Sequence, residues 1–211
     1  MKRLPVLATA IVGLAVAIMI ALGIWQLRRA SEKRVLIALY AENLRKPEVA
    51  LPPTLGANDP LLFRRTRGLC LEAVQWTTIS GRDANGRSGW RHIASCRTGA
   101  EGPGFLADLG VSNDFNATSK WRGGDVAGVL GPEPVGNSLA GRLLKGVPVS
   151  RALIVATAAA PGLVATARPD PSEVANNHLS YAVQWFIFAG VASLIYALAL
   201  RRRRTKEKLN A

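Results

Sequence analysis

From residue 4 to residue 25 the chain reads LPVLATAIVGLAVAIMIALGIW, 22 positions without a charged side chain. A second run, YAVQWFIFAGVASLIYALAL at 181–200, is also uncharged, with Gln184 its one strongly polar residue. At a rise of about 1.5 Å per residue, about 20 helical residues cross a hydrocarbon core of ~30 Å. Both runs therefore predict transmembrane helices, one near each end of the chain. The first is also preceded by Lys2 and Arg3, as a secretory leader would be. Its apolar run is longer than a leader's, and Trp25-Gln26-Leu27-Arg28-Arg29 offers no small-x-small cleavage site, so the reading is an uncleaved anchor.

Between the runs the periodicity changes twice. In RRASEKRVLIALYAENLRKP, Leu36, Leu39 and Tyr40 recur at three- and four-residue spacing, which predicts a helical extension of the first span, stopped at Pro47. Residues 47–60 carry four prolines with Gly56 and Asn58 and read as loop or linker. From residue 61 the period moves toward two. Asn85-Gly86 predicts a hairpin with a type I′ turn, followed by a strand in which Trp90, His92, Ala94 and Cys96 alternate with Arg91, Ile93 and Ser95. Further strand candidates are 62–71, 104–111, 124–131, 151–158 and 162–168. The predicted class is a membrane α+β protein, with two terminal transmembrane helices flanking a mainly antiparallel β domain. Its parts are 1–27 (cytoplasmic tip and first span), 28–60 (helical extension and linker), 61–175 (β domain), 176–200 (second span) and 201–211 (basic tail).

Charge orients this plan. Arg201-Arg202-Arg203-Arg204-Thr205-Lys206-Glu207-Lys208 puts the C-terminus in the cytoplasm by the positive-inside rule, and two spans put the N-terminus there too. Arg28, Arg29, Lys33 and Arg34 argue the reverse, but long translocated domains obey the rule weakly, so the tail decides. The β domain is then periplasmic, in a bacterial cytoplasmic membrane. The net charge of +13 does not point to nucleic acid. Eight of the 27 basic residues lie in the two cytoplasmic tails, leaving 19 basic against 13 acidic residues, interspersed, in the outer region. Tails that meet anionic lipid headgroups account for the rest.

Cys70 and Cys96 both fall in the outer domain, where a disulfide closing about 27 residues is expected ahead of free thiols or redox chemistry. Catalysis finds little support. There are two histidines, His92 and His178, and no HExxH, GxSxG, SxxK or Walker sequence. His92 sits in a predicted strand, where a hydrogen-bonded structural role is the expectation. Asp83, Asp108, Asp114, Asp125 and Glu133 are scattered among turn residues, so no carboxylate pair suggests itself. Two cysteines, two methionines and two histidines are also few for copper delivery.

The most specific signals lie at the two membrane boundaries, LGIWQLRRASEK and NNHLSYAVQWF. Trp25, Tyr181 and Trp185 suit an interfacial aromatic belt, and Asn176 or Asn177 a helix cap. On a helix, His178, Tyr181, Trp185 and Phe188 fall along one face. Two readings of His178 stay open on the residues alone: an interfacial hydrogen-bonding group, or a haem-iron ligand above aromatic rings.

These motifs together resemble the Surfeit locus protein 1 family, the cytochrome c oxidase assembly factors. The first helix of that family closes with G-x-W-Q-x-x-R-x-x-x-K, here Gly23, Trp25, Gln26, Arg29 and Lys33. The second opens with N-N-H-x-x-Y-A-x-x-W-F, here Asn176, Asn177, His178, Tyr181, Ala182, Trp185 and Phe186. Pro103-Gly104-Phe105 fits the family's central P-G-F element. Ala107-Asp108-Leu109-Gly110, where the family has V-N-R-G-W, keeps the glycine alone. The resemblance implies a non-enzymatic chaperone that binds haem a and assists its insertion into the oxidase catalytic subunit, with haem a synthase as a second candidate partner. It makes His178 the candidate axial ligand, Tyr181 and Trp185 its neighbours, Trp25 and Gln26 further pocket members, and Arg29 or Arg28 a partner for haem propionates. The rival expectation is a scaffold or sensor without haem, whose periplasmic β domain binds a protein partner.

Overall fold

A computed structural model describes residues 6–56, 58–100, 104–117, 119–132 and 151–209. Pro103 and Glu133 lie outside the described residues. The chain divides into two compact units, one formed by Met1–Val35 with Ala175–Ala211 and the other by Leu36–Val174.

The first unit is built from the helices α1 (Val6–Asn43) and α2 (His178–Leu209). Their most apolar windows have mean hydropathies of 2.6 and 1.9, and only 6% of each window is buried. A core helix of a soluble domain hides its apolar side chains. These leave most of theirs exposed, and both helices are long and apolar enough to cross a membrane. At about 1.5 Å per residue α1 is nearly twice the length that a hydrocarbon core needs. Its last turns belong to the second unit. There Tyr40 is buried with its ring 4.9 Å from that of Phe63, and Asn43 Nδ2 donates to the carbonyls of Pro60 (2.7 Å) and Leu62 (2.9 Å). The helix stops at Asn43, before Pro47, as the spacing predicts.

The second unit is a seven-stranded sheet. Its strands are β1 (Val49–Ala50), β2 (Arg65–Cys70), β3 (Glu72–Arg82), β4 (Ser88–Arg97), β5 (Phe105–Ser112), β6 (Gly124–Gly131) and β7 (Leu153–Ala156), in the order β1-β2-β6-β7-β5-β4-β3. The sheet is mixed. β1 pairs with β2 and β5 with β7 in parallel, and the four remaining pairings are antiparallel. β5 and β7 are buried on both faces, as parallel strands usually are. Consecutive β2 and β3 lie far apart in the sheet order, yet only Leu71 separates them. The sheet therefore curls until its ends meet at this corner, where Leu71 N–H donates to the Arg97 carbonyl. The disulfide Cys70–Cys96 locks the same corner, joining β2 to β4 with both cysteines buried. Closing a loop of this length stabilises by about 3–4 kcal/mol in the chain-entropy account. Phe105, Leu62, Leu130 and Ile154 fill the main core.

Three local expectations change. The 47–60 segment is not all loop, since Val49–Ala50 forms β1 and its Val49 carbonyl accepts from Thr66 Oγ1 at 2.8 Å. The 162–168 segment forms no strand. It passes from one strand to another, bonding Val164 to Val111 but Ala165 and Ala167 to the end of the β3–β4 hairpin, so no ladder builds up. The hairpin turn lies where Asn85-Gly86 puts it, but only Gly86 has positive φ (79°). The Asp83 carboxylate accepts the N–H groups of Asn85 and Arg87, and this Asx turn replaces the type I′ geometry.

Candidate functional site

The two boundary motifs meet within the helical unit. Thr9 Oγ1 lies 2.6 Å from Tyr196 Oη, a side chain at Gly23 would strike the Phe186 ring, and Asn176 Nδ2 donates to the Ala30 carbonyl at 3.3 Å. Rising numbers on α1 face falling numbers on α2, so the pair is antiparallel. The less exposed positions include Val12, Val16, Met19, Gly23, Gln26 and Ala30 on α1 and His178, Ala182, Trp185, Ala189, Ala192 and Tyr196 on α2, with Leu22 and Leu200 beside these rows. Both sets alternate steps of three and four, the 3.5-residue period of a left-handed helix pair. Gly23, Ala30, Ala182 and Ala189 are small residues on this seam and let the backbones approach closely.

His178 is the first residue of α2, and its Nδ1 lies 2.7 Å from Gln26 Oε1 on α1. An amide oxygen only accepts, so Nδ1–H donates. Among the described residues Nε2 makes no hydrogen bond. The structure therefore brings together two of the expected site residues, Gln26 and His178. Trp185 lies on the same seam two turns into α2, edge-on to Phe188 with centroids 6.2 Å apart. Trp25 and Tyr181 face outward, 55% and 50% exposed, and among the described residues no hydrogen bond or ring contact joins them to His178. Arg29, one turn beyond Trp25, donates from Nη1 to Glu32 Oε2 at 2.7 Å. That pair is exposed and worth little, so the guanidinium can exchange to another carboxylate.

Two features escape sequence reasoning. The Asn176 side chain ties α2 to α1 rather than capping its own helix, and Gln26 is bonded to His178 rather than merely at its depth. Each contact spans about 150 residues of chain, and periodicity carries no signal at that range.

The β unit offers a second histidine in a different setting. His92 is 3% exposed, with Nε2 2.8 Å from Ser112 Oγ and Nδ1 3.5 Å from Thr78 Oγ1. Burial lowers its pKa below the usual value, against the opposing pull of the Asp108 and Asp114 carboxylates. Nearby, Asp108 has no exposed surface. Arg91 Nε (2.7 Å) and Thr166 Oγ1 (2.8 Å) donate to its carboxylate, which also receives Gly110 N–H at 3.3 Å. Gly110 sits in a bulge of β5 at φ 134°, where a Cβ would lie 2.7 Å from the Val164 carbonyl oxygen. That conformation explains why the glycine of Ala107-Asp108-Leu109-Gly110 stands where its neighbours depart from the expected pattern. Asp108, Arg91 and His92 are thus all engaged in holding the sheet.

The sequence profile of the SURF1 family matches residues 13–190, a span that takes in both boundary motifs and the entire β unit. No curated protein matches the sequence. With most of its length covered by that profile, the chain belongs to the SURF1 family.

Proposed function

We propose that this protein carries haem a in a bacterial cytoplasmic membrane and assists its insertion into the catalytic subunit of cytochrome c oxidase. The SURF1 family is one of cytochrome c oxidase assembly factors, which supplies the process. The observation that carries the haem reading is the His178–Gln26 contact, because it occupies one imidazole nitrogen while the other has no hydrogen bond among the described residues. The residues fit the cargo in three respects. Nε2 can take an axial position on iron. Trp185, Phe188 and the outward Tyr181 present aromatic surface on the adjoining turns for a macrocycle. Arg29, and Arg28 beside it, are exposed cations suited to propionates. A single histidine ligand suits a cargo that must be released.

In this reading α1 and α2 span the membrane, both termini are cytoplasmic, and the β unit is periplasmic. The Arg201–Arg204 run supports the orientation, and the Cys70–Cys96 disulfide supports an oxidising compartment for the β unit. The partners are the oxidase catalytic subunit and, upstream, haem a synthase.

The test is complementation in a bacterium that lacks its own family member. Wild-type protein is expected to restore the haem a content of the purified oxidase, and His178→Ala to leave it at the level of the deletion strain. Full restoration by His178→Ala would remove His178 from the delivery step.

A further inference from the structure

We infer that Gln26 is a positioning residue for His178: its amide oxygen fixes the imidazole as the Nδ1–H tautomer and presents Nε2 as the ligating nitrogen. This rests on the haem-carrying reading of His178. A neutral imidazole carries one N–H, and the tautomer follows from whichever nitrogen is given an acceptor. Gln26 Oε1 lies 2.7 Å from Nδ1, so the proton is held there and the Nε2 lone pair is left bare. The helix that carries the acceptor is held against α2 on either side of it. Gly23, one turn before Gln26, receives the Phe186 ring, and Ala30, one turn after, accepts from Asn176. Ligating histidines are ordinarily oriented by such a second partner, which also raises their basicity. A neutral amide accepts more weakly than a carboxylate, so it fixes the ring while strengthening the ligand less. That balance suits transfer rather than permanent binding.

The chain contains its own control. Ser112 Oγ donates its proton to the Asp114 carbonyl (2.5 Å), so toward His92 it can only accept, and His92 Nε2–H must donate. The two histidines are therefore expected in opposite tautomers, Nε2–H at His92 and Nδ1–H at His178.

The experiment is nitrogen NMR of the histidine-labelled full-length protein, free of haem, in detergent micelles. With two imidazoles in the chain, His92→Gln assigns the spectrum. The expected result is a protonated Nδ1 and a bare Nε2 at His178, with the preference lost in Gln26→Leu and kept in Gln26→Glu. Titration with haem a extracted from purified oxidase is then expected to bind about 10–100-fold more weakly to Gln26→Leu, as loss of an outer-shell partner does elsewhere. Gln26→Glu is expected to bind at least as tightly as wild type. An Nε2–H tautomer at His178 in the wild type would overturn the inference, even if haem a binds through His178. So would an unchanged haem a affinity in Gln26→Leu. A wild type with the expected tautomer that takes up no haem a would instead overturn the haem-carrying reading, and the ligand-positioning role with it.

Discussion

His92 and His178 have the same side chain and opposite circumstances. His92 is enclosed by β3, β4 and β5, bonded at Nε2 to Ser112, and its pKa is lowered, first of all by burial. The sign of its effect on stability follows. With a native pKa below the unfolded value of about 6.5, only the unfolded chain takes a proton as pH falls from that value toward the native pKa. Stability is fully present above about pH 6.5 and declines as pH drops through the native pKa. The unfolding free energy of the β unit, followed by denaturant titration of the whole protein in detergent, is expected to show this decline. His92→Gln should remove it, and a variant with the same pH dependence as wild type would show that His92 is not its source. A hydrogen-bonded strand histidine was legible from its place among alternating residues. The role of Asp108 was not. Its partner Thr166 lies 58 residues away in the chain, and nothing local distinguishes a buried aspartate from one at an exposed turn.

At the scale of elements, both long helices were legible because uncharged runs of this length have few other fates. The seam between them was not. A helix apolar on nearly every side gives hydrophobic periodicity little to report, and part of the contact face is marked instead by small residues, Gly23, Ala30, Ala182 and Ala189. Gly23 is the clearest instance, since a Cβ there would lie 2.7 Å from Phe186 Cε1. Gly23→Leu is expected to force the helices apart at this level. Spin labels on the exposed positions Leu27 and Leu179 should read a longer, broader interhelical distance than in wild type. An unchanged distance would mean that the ring swings away without cost and that the small residue does not set the approach. The strands tell a similar story. β2, β5, β6 and β7 overlap the stretches expected from period-two patterning, whereas the parallel pairing of β5 with β7 depends on which strands meet in space, and alternation does not encode it. The hairpin position was legible from Asn85-Gly86. Its class was decided by Asp83, whose carboxylate outcompetes the turn that the dipeptide favours.

Across the whole molecule, family membership rests on the match over residues 13–190, and the most specific part of it that was legible in the sequence is the pair of short motifs in the helices near the two ends of the chain. Those motifs were legible because they combine polar residues with apolar surroundings, where a histidine, an amide and a pair of arginines each need a reason. What they do together emerges only when α1 and α2 run antiparallel and Gln26 meets His178. Under the proposed function, this meeting point holds haem a. The most direct measurement is the absorption spectrum of the protein made in a host that synthesises haem a and purified in mild detergent, wild type beside His178→Ala. A haem a Soret band is expected in the wild type and is expected to be lost in the variant. A band of equal strength in both proteins, or none in the wild type, would contradict it.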